Sequence, residues 1–227
     1  MKTILYHYVH CPYCVRVRMV LGFFKVEFES RVLSYDDEDT PLRLCGKKML
    51  PILEINKNGE EFLSNESLVI SKKLDDHGKL YENVSDDDLE NVNKLVSEIG
   101  KKLHPLAMPA WLNTPEFNHS AKKYFVRKKE KSKGPFSELI KKSELLRRDL
   151  SDYLCEFDFP ELFYKGDKIT ILDIMLASHL YGVYVLTDFC VPPNCHSYIQ
   201  RVRKECLFDY HGDFHPGDEF KHWQRGK

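Results

Sequence analysis

Neither sign of charge dominates this sequence: 34 lysines and arginines stand against 35 aspartates and glutamates, a formal net charge of -1. A chain so balanced has no global field to gather nucleic acid or an anionic membrane, and neither is expected as a partner. Long apolar runs are missing too. The least polar stretch, residues 169–186, carries Asp173 and His179. It falls short of the roughly 20 apolar residues that a membrane span needs, so it reads as a buried helix. His7 and His10 arrive before any apolar run long enough for a secretory signal, and none is expected. Cysteine occurs without forming a framework. Seven is an odd number, and beyond positions 11 and 14 the others are scattered at 45, 155, 190, 195 and 206. Such usage indicates a reducing cytoplasm and excludes a small disulfide-held domain. No repeat or low-complexity tract is evident.

What is there suffices for two packed units: 227 residues, 42% hydrophobic and 30% charged. Residues 3–8 read as a strand, and the apolar spacing of 15–24 predicts a helix starting near Pro12. A second strand is expected at 28–33, then a short helix at 41–45 with Thr40 as N-cap and Pro41 at its first position. A strand from Pro51, an Asn58-Gly59 turn, a strand at 61–63 and a helix over 66–76 complete the order βαβαββα. Polar clusters at Asp75-Asp76-His77-Gly78-Lys79 and Ser85-Asp86-Asp87-Asp88 mark a linker. Beyond it Leu89, Val92, Leu95, Val96, Ile99 and Leu103 recur at helical intervals, as do apolar residues over 136–154 and 171–186. The expected division is an α/β unit at 1–75, a linker at 76–85 and an all-helical unit at 86–227.

Chemistry concentrates at Cys11-Pro12-Tyr13-Cys14. A cysteine placed just after a strand and at a helix start meets unpaired N–H groups and the positive end of the helix dipole, which favour its thiolate. In C-x-x-C motifs such thiols have pKa values of about 3.5 to 7.5, and only the thiolate attacks a disulfide. Cys11 is therefore the expected nucleophile and Cys14, one turn deeper, the resolving thiol. Pro12 suits the first turn because its missing N–H would have gone unused, and Tyr13 is expected at the site mouth. The alternative for this motif is half of a zinc site, with Cys190 and Cys195 or His7 and His10 nominated as the rest; the strand-to-helix context favours redox chemistry, and no metal is expected. In Met49-Leu50-Pro51-Ile52-Leu53 a cis bond before Pro51 would free the Leu50 main chain to pair with an extended thiol peptide. An ordinary trans proline is the plainer reading of that motif alone, and its place after C-P-Y-C reverses the preference. At Ser64-Asn65-Glu66-Ser67 a helix start with the Ser67 hydroxyl could hold a carboxylate, or could simply cap the helix.

With these pieces in order, the chain resembles the glutaredoxins, and among them the two-domain bacterial glutaredoxin 2 family built like a glutathione transferase. Cys45-Gly46-Lys47-Lys48 before Met49, the Pro51-Ile52-Leu53 run, Ala121-Lys122-Lys123-Tyr124-Phe125-Val126 and Lys128-Lys129-Glu130 extend the resemblance over most of the chain, less so after Cys190. It implies a thioredoxin-like N-terminal domain and an all-α, glutathione-transferase-like C-terminal domain. It also implies glutathione as a co-substrate, with no covalently bound cofactor. Contacts to glutathione are implied for Pro12, Tyr13, Leu50, Pro51, Glu66 and Ser67, the last two at the γ-glutamyl end. The implied partners are glutathionylated or disulfide-containing proteins, and a monomer is expected. Thr170-Ile171-Leu172-Asp173 resembles the capping box of the transferase-type domain, a folding element of about 1 kcal/mol. Lys47 or Lys48 could meet the glycyl carboxylate, although solvated lysines are the plainer reading. The same scaffold could instead serve a transferase, which usually presents a Ser, a Tyr or a lone Cys, or a binding module that has lost its nucleophile. Two cysteines favour exchange. The basic run at 127–133, interrupted by Glu130, reads as a solvated helix end. His211, His215 and His222 lack a fixed ligand spacing.

Overall fold

The computed structural model describes residues 2–114 and 116–208; His211, His215 and His222 lie outside them. Four strands, β1 (Lys2–His7), β2 (Glu29–Val32), β3 (Ile52–Lys57) and β4 (Glu60–Ser64), form one sheet in the order β2-β1-β3-β4. β1 runs parallel to β2, while β3 is antiparallel to both β1 and β4. The central position of β1 explains its continuous apolar run, because both of its faces are covered. Leu5 meets Leu53, Val17, Leu21 and Ile70 in one small core, while Ile4, Tyr6 and Ile52 join the large core that continues into the helical part of the chain.

Helices α1 (Pro12–Phe23), α2 (Asp39–Cys45) and α3 (Ser67–Leu74) complete the βαβαββα order expected from the sequence. One local expectation fails: α2 starts at Asp39, and Thr40 is not its cap. The carboxylate of Asp37 takes the Thr40 N–H at 2.9 Å, doing from outside what Thr40 was expected to do. The hairpin turn falls at Asn58-Gly59, both with positive φ (55° and 86°), the backbone that Asn-Gly adopts at least cost.

The helical part comprises α4 (Asp86–Trp111), α5 (His119–Lys133), α6 (Phe136–Lys141), α7 (Ser143–Glu156), α8 (Ile171–Leu180), a 3-10 turn (Tyr181–Val185) and α9 (Pro193–Glu205). The apolar pattern at 136–154 is therefore two helices. Lys142 turns to φ -90°, ψ 5° between them; its N–H still bonds to Glu138 O and its C=O to Leu146 N–H, so two bonds bridge the bend. The stretch at 169–186 also divides, and its helical portion is buried on every side because α1, α4 and α9 all pack on it. Among the described residues no helix is long and apolar enough to cross a membrane. The two parts meet closely: a Cβ on Gly22 of α1 would lie 2.0 Å from the carbonyl oxygen of Cys206 after α9. Only a residue without a side chain allows that approach.

The Thr170/Asp173 pair is built as expected but carries more than a helix cap. One carboxylate oxygen of the fully buried Asp173 takes the Thr170 N–H (2.8 Å) and hydroxyl (2.9 Å); the other takes the Tyr164 N–H (2.7 Å) and the Tyr198 hydroxyl (2.9 Å). Four donors from three segments converge on one side chain. Asp173→Ala strands three of them in the buried core and the half-buried Tyr164 N–H beside it, so the expected loss is about 3 kcal/mol in place of the roughly 1 kcal/mol of a simple cap. Urea unfolding of the variant tests this, and a loss below about 1 kcal/mol would mean that the junction tolerates the vacancy.

Three histidines are held neutral. Burial, helped by Arg18, brings His7 down to about 3; burial, helped by Lys133 and Lys129, brings His104 to about 4; burial, helped by Arg16, brings His179 to about 3. The unfolded chain binds these protons near pH 6.5, well before the folded one. Their stabilisation is therefore complete above about pH 6.5 and is lost as the pH falls toward 3, at up to about 1.4 kcal/mol per pH unit for each histidine. Urea midpoints measured from pH 7 to pH 4 should fall steeply, and His179→Phe should flatten the slope by one proton.

Candidate active site

The end of β1 and the start of α1 are joined by residues 8–11, and this loop sets the site. Cys11 is the N-cap of α1, extended at φ -75° and ψ 121°, with Pro12 at the first helical position. Its C=O accepts the Val15 N–H at 2.9 Å, which begins the helix. The Cys11 thiol is half-buried and Cys14 is fully buried. A hydrogen bond from Cys14 does most to lower the Cys11 pKa to about 6; burial opposes it, and the charge of His10 and the N–H groups of Cys14 and Tyr13 add to it. Cys14 moves the other way, well above the ordinary thiol value, mainly through burial and then through its bond to Cys11. The Tyr8 N–H, donating to Cys14 Sγ at 3.4 Å, eases that rise only slightly. Two thiols one turn apart thus become chemically unequal.

Around them the other expected residues divide into near and committed groups. Tyr13 is 48% exposed, sets its ring edge against His179 at 5.4 Å and lies over the Arg16 guanidinium at 5.1 Å. The Leu50–Pro51 bond is cis. Leu50 precedes the ladder, whose last pair with β1 is Tyr6 with Ile52. Glu66 stands exposed at the N-cap of α3 with no side-chain cap, and its N–H bonds to Ser64 Oγ at 3.2 Å. Ser67 is buried, and its hydroxyl accepts a hydrogen bond from Arg16 Nη1 at 3.0 Å. Lys48 is spoken for: its ammonium lies 3.8 Å from the centre of the Tyr124 ring and 3.4 Å from Glu38. Of the cysteines nominated for zinc, Cys190 is exposed and Cys195 buried. Among the described residues no three His, Cys, Asp or Glu side chains come together as metal ligands.

Two participants escaped the sequence reading. Arg16, on the inner face of α1, is almost wholly buried, and its Nε and Nη2 have no hydrogen-bond partner among the described residues. His10, considered only as a metal ligand, is buried against Glu116, which accepts its N–H at 3.3 Å and also contacts its Nδ1. The rings of Tyr8, Tyr35, Trp111, Phe117 and Phe125 enclose that imidazole. Glu116 is 106 residues away, and only its setting beside Phe117 marks it as an acid in apolar surroundings.

A thioredoxin-like sheet, with a Cys-x-x-Cys pair at the head of its first helix, followed by an all-helical part, defines the glutathione-transferase-like fold class. Residues 91–208 match the family model "Glutaredoxin 2, C terminal domain", and residues 10–77 match "Glutathione S-transferase, N-terminal domain". Glutaredoxin 2 of Escherichia coli strain K12 is 36% identical over 159 residues, which cover 68% of this chain and 71% of that protein. The chain belongs to the glutaredoxin 2 family. The crystal structure of glutaredoxin 2 from Salmonella typhimurium in complex with glutathione superposes with a TM-score of 0.80 at 26% identity, over 94% of this chain and 98% of that one. A glutathione transferase from Phanerochaete chrysosporium shares the fold, with a TM-score of 0.71 at 15% identity over 90% of this chain and 97% of that one.

The thiol inequality is directly measurable. Iodoacetamide should modify Cys11 first, with a rate that rises through an inflection near pH 6, while Cys14 stays unreactive until alkaline pH. Peptide mapping of the first alkylated residue identifies the thiol; a fast thiol elsewhere, or an inflection near pH 9, would contradict the assignment.

Proposed function

We propose that this protein reduces glutathione mixed disulfides and protein disulfides by thiol exchange at Cys11-Pro12-Tyr13-Cys14, with glutathione as electron donor. The observation that carries the reading is the pairing on one helix of an accessible, acidified Cys11 with a buried, high-pKa Cys14. The Cys11 thiolate attacks the glutathionyl sulfur of a mixed disulfide, forms a Cys11–glutathione disulfide and expels the protein thiolate, which takes up a proton. A second glutathione, as thiolate, attacks the same sulfur, releases oxidised glutathione and returns Cys11 as thiolate. On a protein disulfide the first attack leaves Cys11 bonded to the protein. Cys14 then loses its proton and attacks the Cys11 sulfur, which releases the protein thiolate and leaves a Cys11–Cys14 disulfide for two glutathiones to reduce.

Glutathione would lie along the Leu50 main chain, with Pro12, Tyr13 and Pro51 beside its thiol and its γ-glutamyl carboxylate at the head of α3, near Glu66 and Ser67. Three facts support that seat: Leu50 lies outside the ladder, α3 presents its N-terminus, and the Ser67 hydroxyl is backed by the cation of Arg16. The named Salmonella complex with glutathione supports the choice of ligand. The proposed units are a thioredoxin-fold domain at 1–75, a linker at 76–85 and the helical domain from 86 onward, in a monomer acting in the cytoplasm.

The two thiols should fail differently. Cys11→Ser should abolish reduction of both a small glutathionylated substrate and a protein disulfide. Cys14→Ser should keep most of the first activity and lose at least about tenfold on the second, where a neighbouring thiol acts at high effective concentration. Steady-state assays of both variants on both substrates test this; equal losses for Cys14→Ser, or residual activity in Cys11→Ser, would overturn the assignment.

A further inference from the structure

Glu116 lies in the segment between α4 and α5, yet its bonds go to the other half of the molecule. Its main-chain carbonyl accepts the Tyr35 N–H (3.2 Å) and the Ser34 hydroxyl (3.4 Å), just after β2. Its carboxylate, with no exposed surface, takes both the main-chain N–H and the ring nitrogen of His10, just after β1. One residue thus ties together the loops that follow the two parallel strands, and the residue it grips is the immediate neighbour of Cys11.

A buried acid gripping a histidine that aromatic rings enclose is not what core stability alone would select. A well-packed apolar pair of similar volume is often as stable as a buried ion pair or more so, whereas removing one partner leaves the other charge stranded. We propose that Glu116 is a positioning residue for the exchange reaction, acting through His10 to fix the loop that carries Cys11 and to set which of the two thiols is reactive. The inference rests on the reading of Cys11 as nucleophile given above.

The surrounding charges agree with that geometry. His10 lowers the Cys11 pKa, while the Glu116 carboxylate raises that of Cys14, so the pair drives the two thiols apart. Other titratable or charged groups facing this region are His7 and Tyr8 from β1 and its loop, Arg18 from α1, Tyr35 after β2, His104 from α4 and Lys129 from α5. His7 and His104 are held neutral above about pH 5, and burial keeps the two tyrosines from ionising in that range. Near neutral pH this leaves Arg16, which also faces Cys11, with Arg18 and Lys129 as cations, and the His10–Glu116 pair as the element that grips the Cys11 loop itself.

The test compares Glu116→Gln, His10→Asn and the double variant in the full chain. Glu116→Gln should lower the Cys11 alkylation rate at pH 6 by about fivefold, the effect of raising a pKa of about 6 by one unit, and recover at pH 9, with the KM for glutathione unchanged. The double variant should be no worse than His10→Asn alone, since both changes act on one pathway. A wild-type pH profile in Glu116→Gln, or additive losses, would overturn the proposal. Should the variants fail to fold, the His10 ring nitrogen shifts in wild-type protein decide: they must move as Cys11 titrates, and a His10 signal indifferent to Cys11 overturns it equally. If Cys11 is not the fast thiol of the wild type, the reading of the nucleophile fails; if it is and Glu116→Gln leaves it unmoved, only the role of Glu116 fails.

Discussion

A polar contact kept dry inside an aromatic cage is the constraint on which the cysteine end of this molecule depends. His10 and Glu116 bring together the loop after β1 and the connection between α4 and α5; five rings pack around the imidazole, and both side chains are buried. Neither partner could be buried alone at tolerable cost. The geometry of the Cys11 loop therefore includes contacts from both halves of the chain. The large apolar core crosses the same junction without a break, from Ile4 and Met19 on one side to Ile99, Leu176 and Tyr198 on the other. At Gly22 the backbones approach so closely that a methyl group has no room. Such an interface makes relative motion of the two halves costly.

That rigidity bears on the two thiols because their difference comes from small, opposed effects. Burial alone raises both pKa values, since it penalises each thiolate. Cys11 escapes through directed contacts: the hydrogen bond from Cys14, the charge of His10 and the N–H groups of the first helical turn. Cys14 has the Tyr8 N–H to set against deeper burial and the nearby Glu116. Each contact depends on angle and distance in a loop of four residues. A looser loop would average the contacts while leaving the burial in place, and Cys11 would then become the poorer nucleophile. Helix-terminus electrostatics prepare the site, but the packing of the helical half keeps it prepared.

How far the sequence discloses this arrangement follows from range. The βαβαββα order, the Asn58-Gly59 turn and the Cys11 pair are written in neighbouring residues, and each is legible because turn chemistry, apolar period and capping act within a few positions. The same locality misplaces the start of α2, where an aspartate three residues upstream takes the role expected of Thr40. It also merges α6 with α7, since a bend at the single residue Lys142, bridged by that residue's own two main-chain bonds, leaves the apolar period intact. Asp173 is half legible: its partner Thr170 lies three residues away, whereas Tyr198 lies 25 away. The contact between His10 and Glu116 leaves no periodic or spacing signal at all, because it is made only when the two halves meet.

Fold alone does not distinguish exchange from transfer, since a glutathione transferase only 15% identical superposes on this chain with a TM-score of 0.71. Both chemistries need a glutathione thiolate brought to the head of α1, and the cis Leu50–Pro51 segment and the start of α3 would serve either. A transferase holds that thiolate with a group that donates a hydrogen bond and takes no electrons. On the proposed reading that position is taken by Cys11, acidified to about 6, which at neutral pH is itself an anion and would repel a second thiolate placed beside it. The same anion is well suited to attack a disulfide sulfur, where the negative charge passes to the leaving thiolate. Cys14 strengthens the distinction, because its bond to Cys11 is most stabilising when Cys11 carries charge and its own sulfur stays protonated. On the proposed reading, the scaffold supplies the seat for glutathione, and the charge state of Cys11 decides that what happens there is exchange.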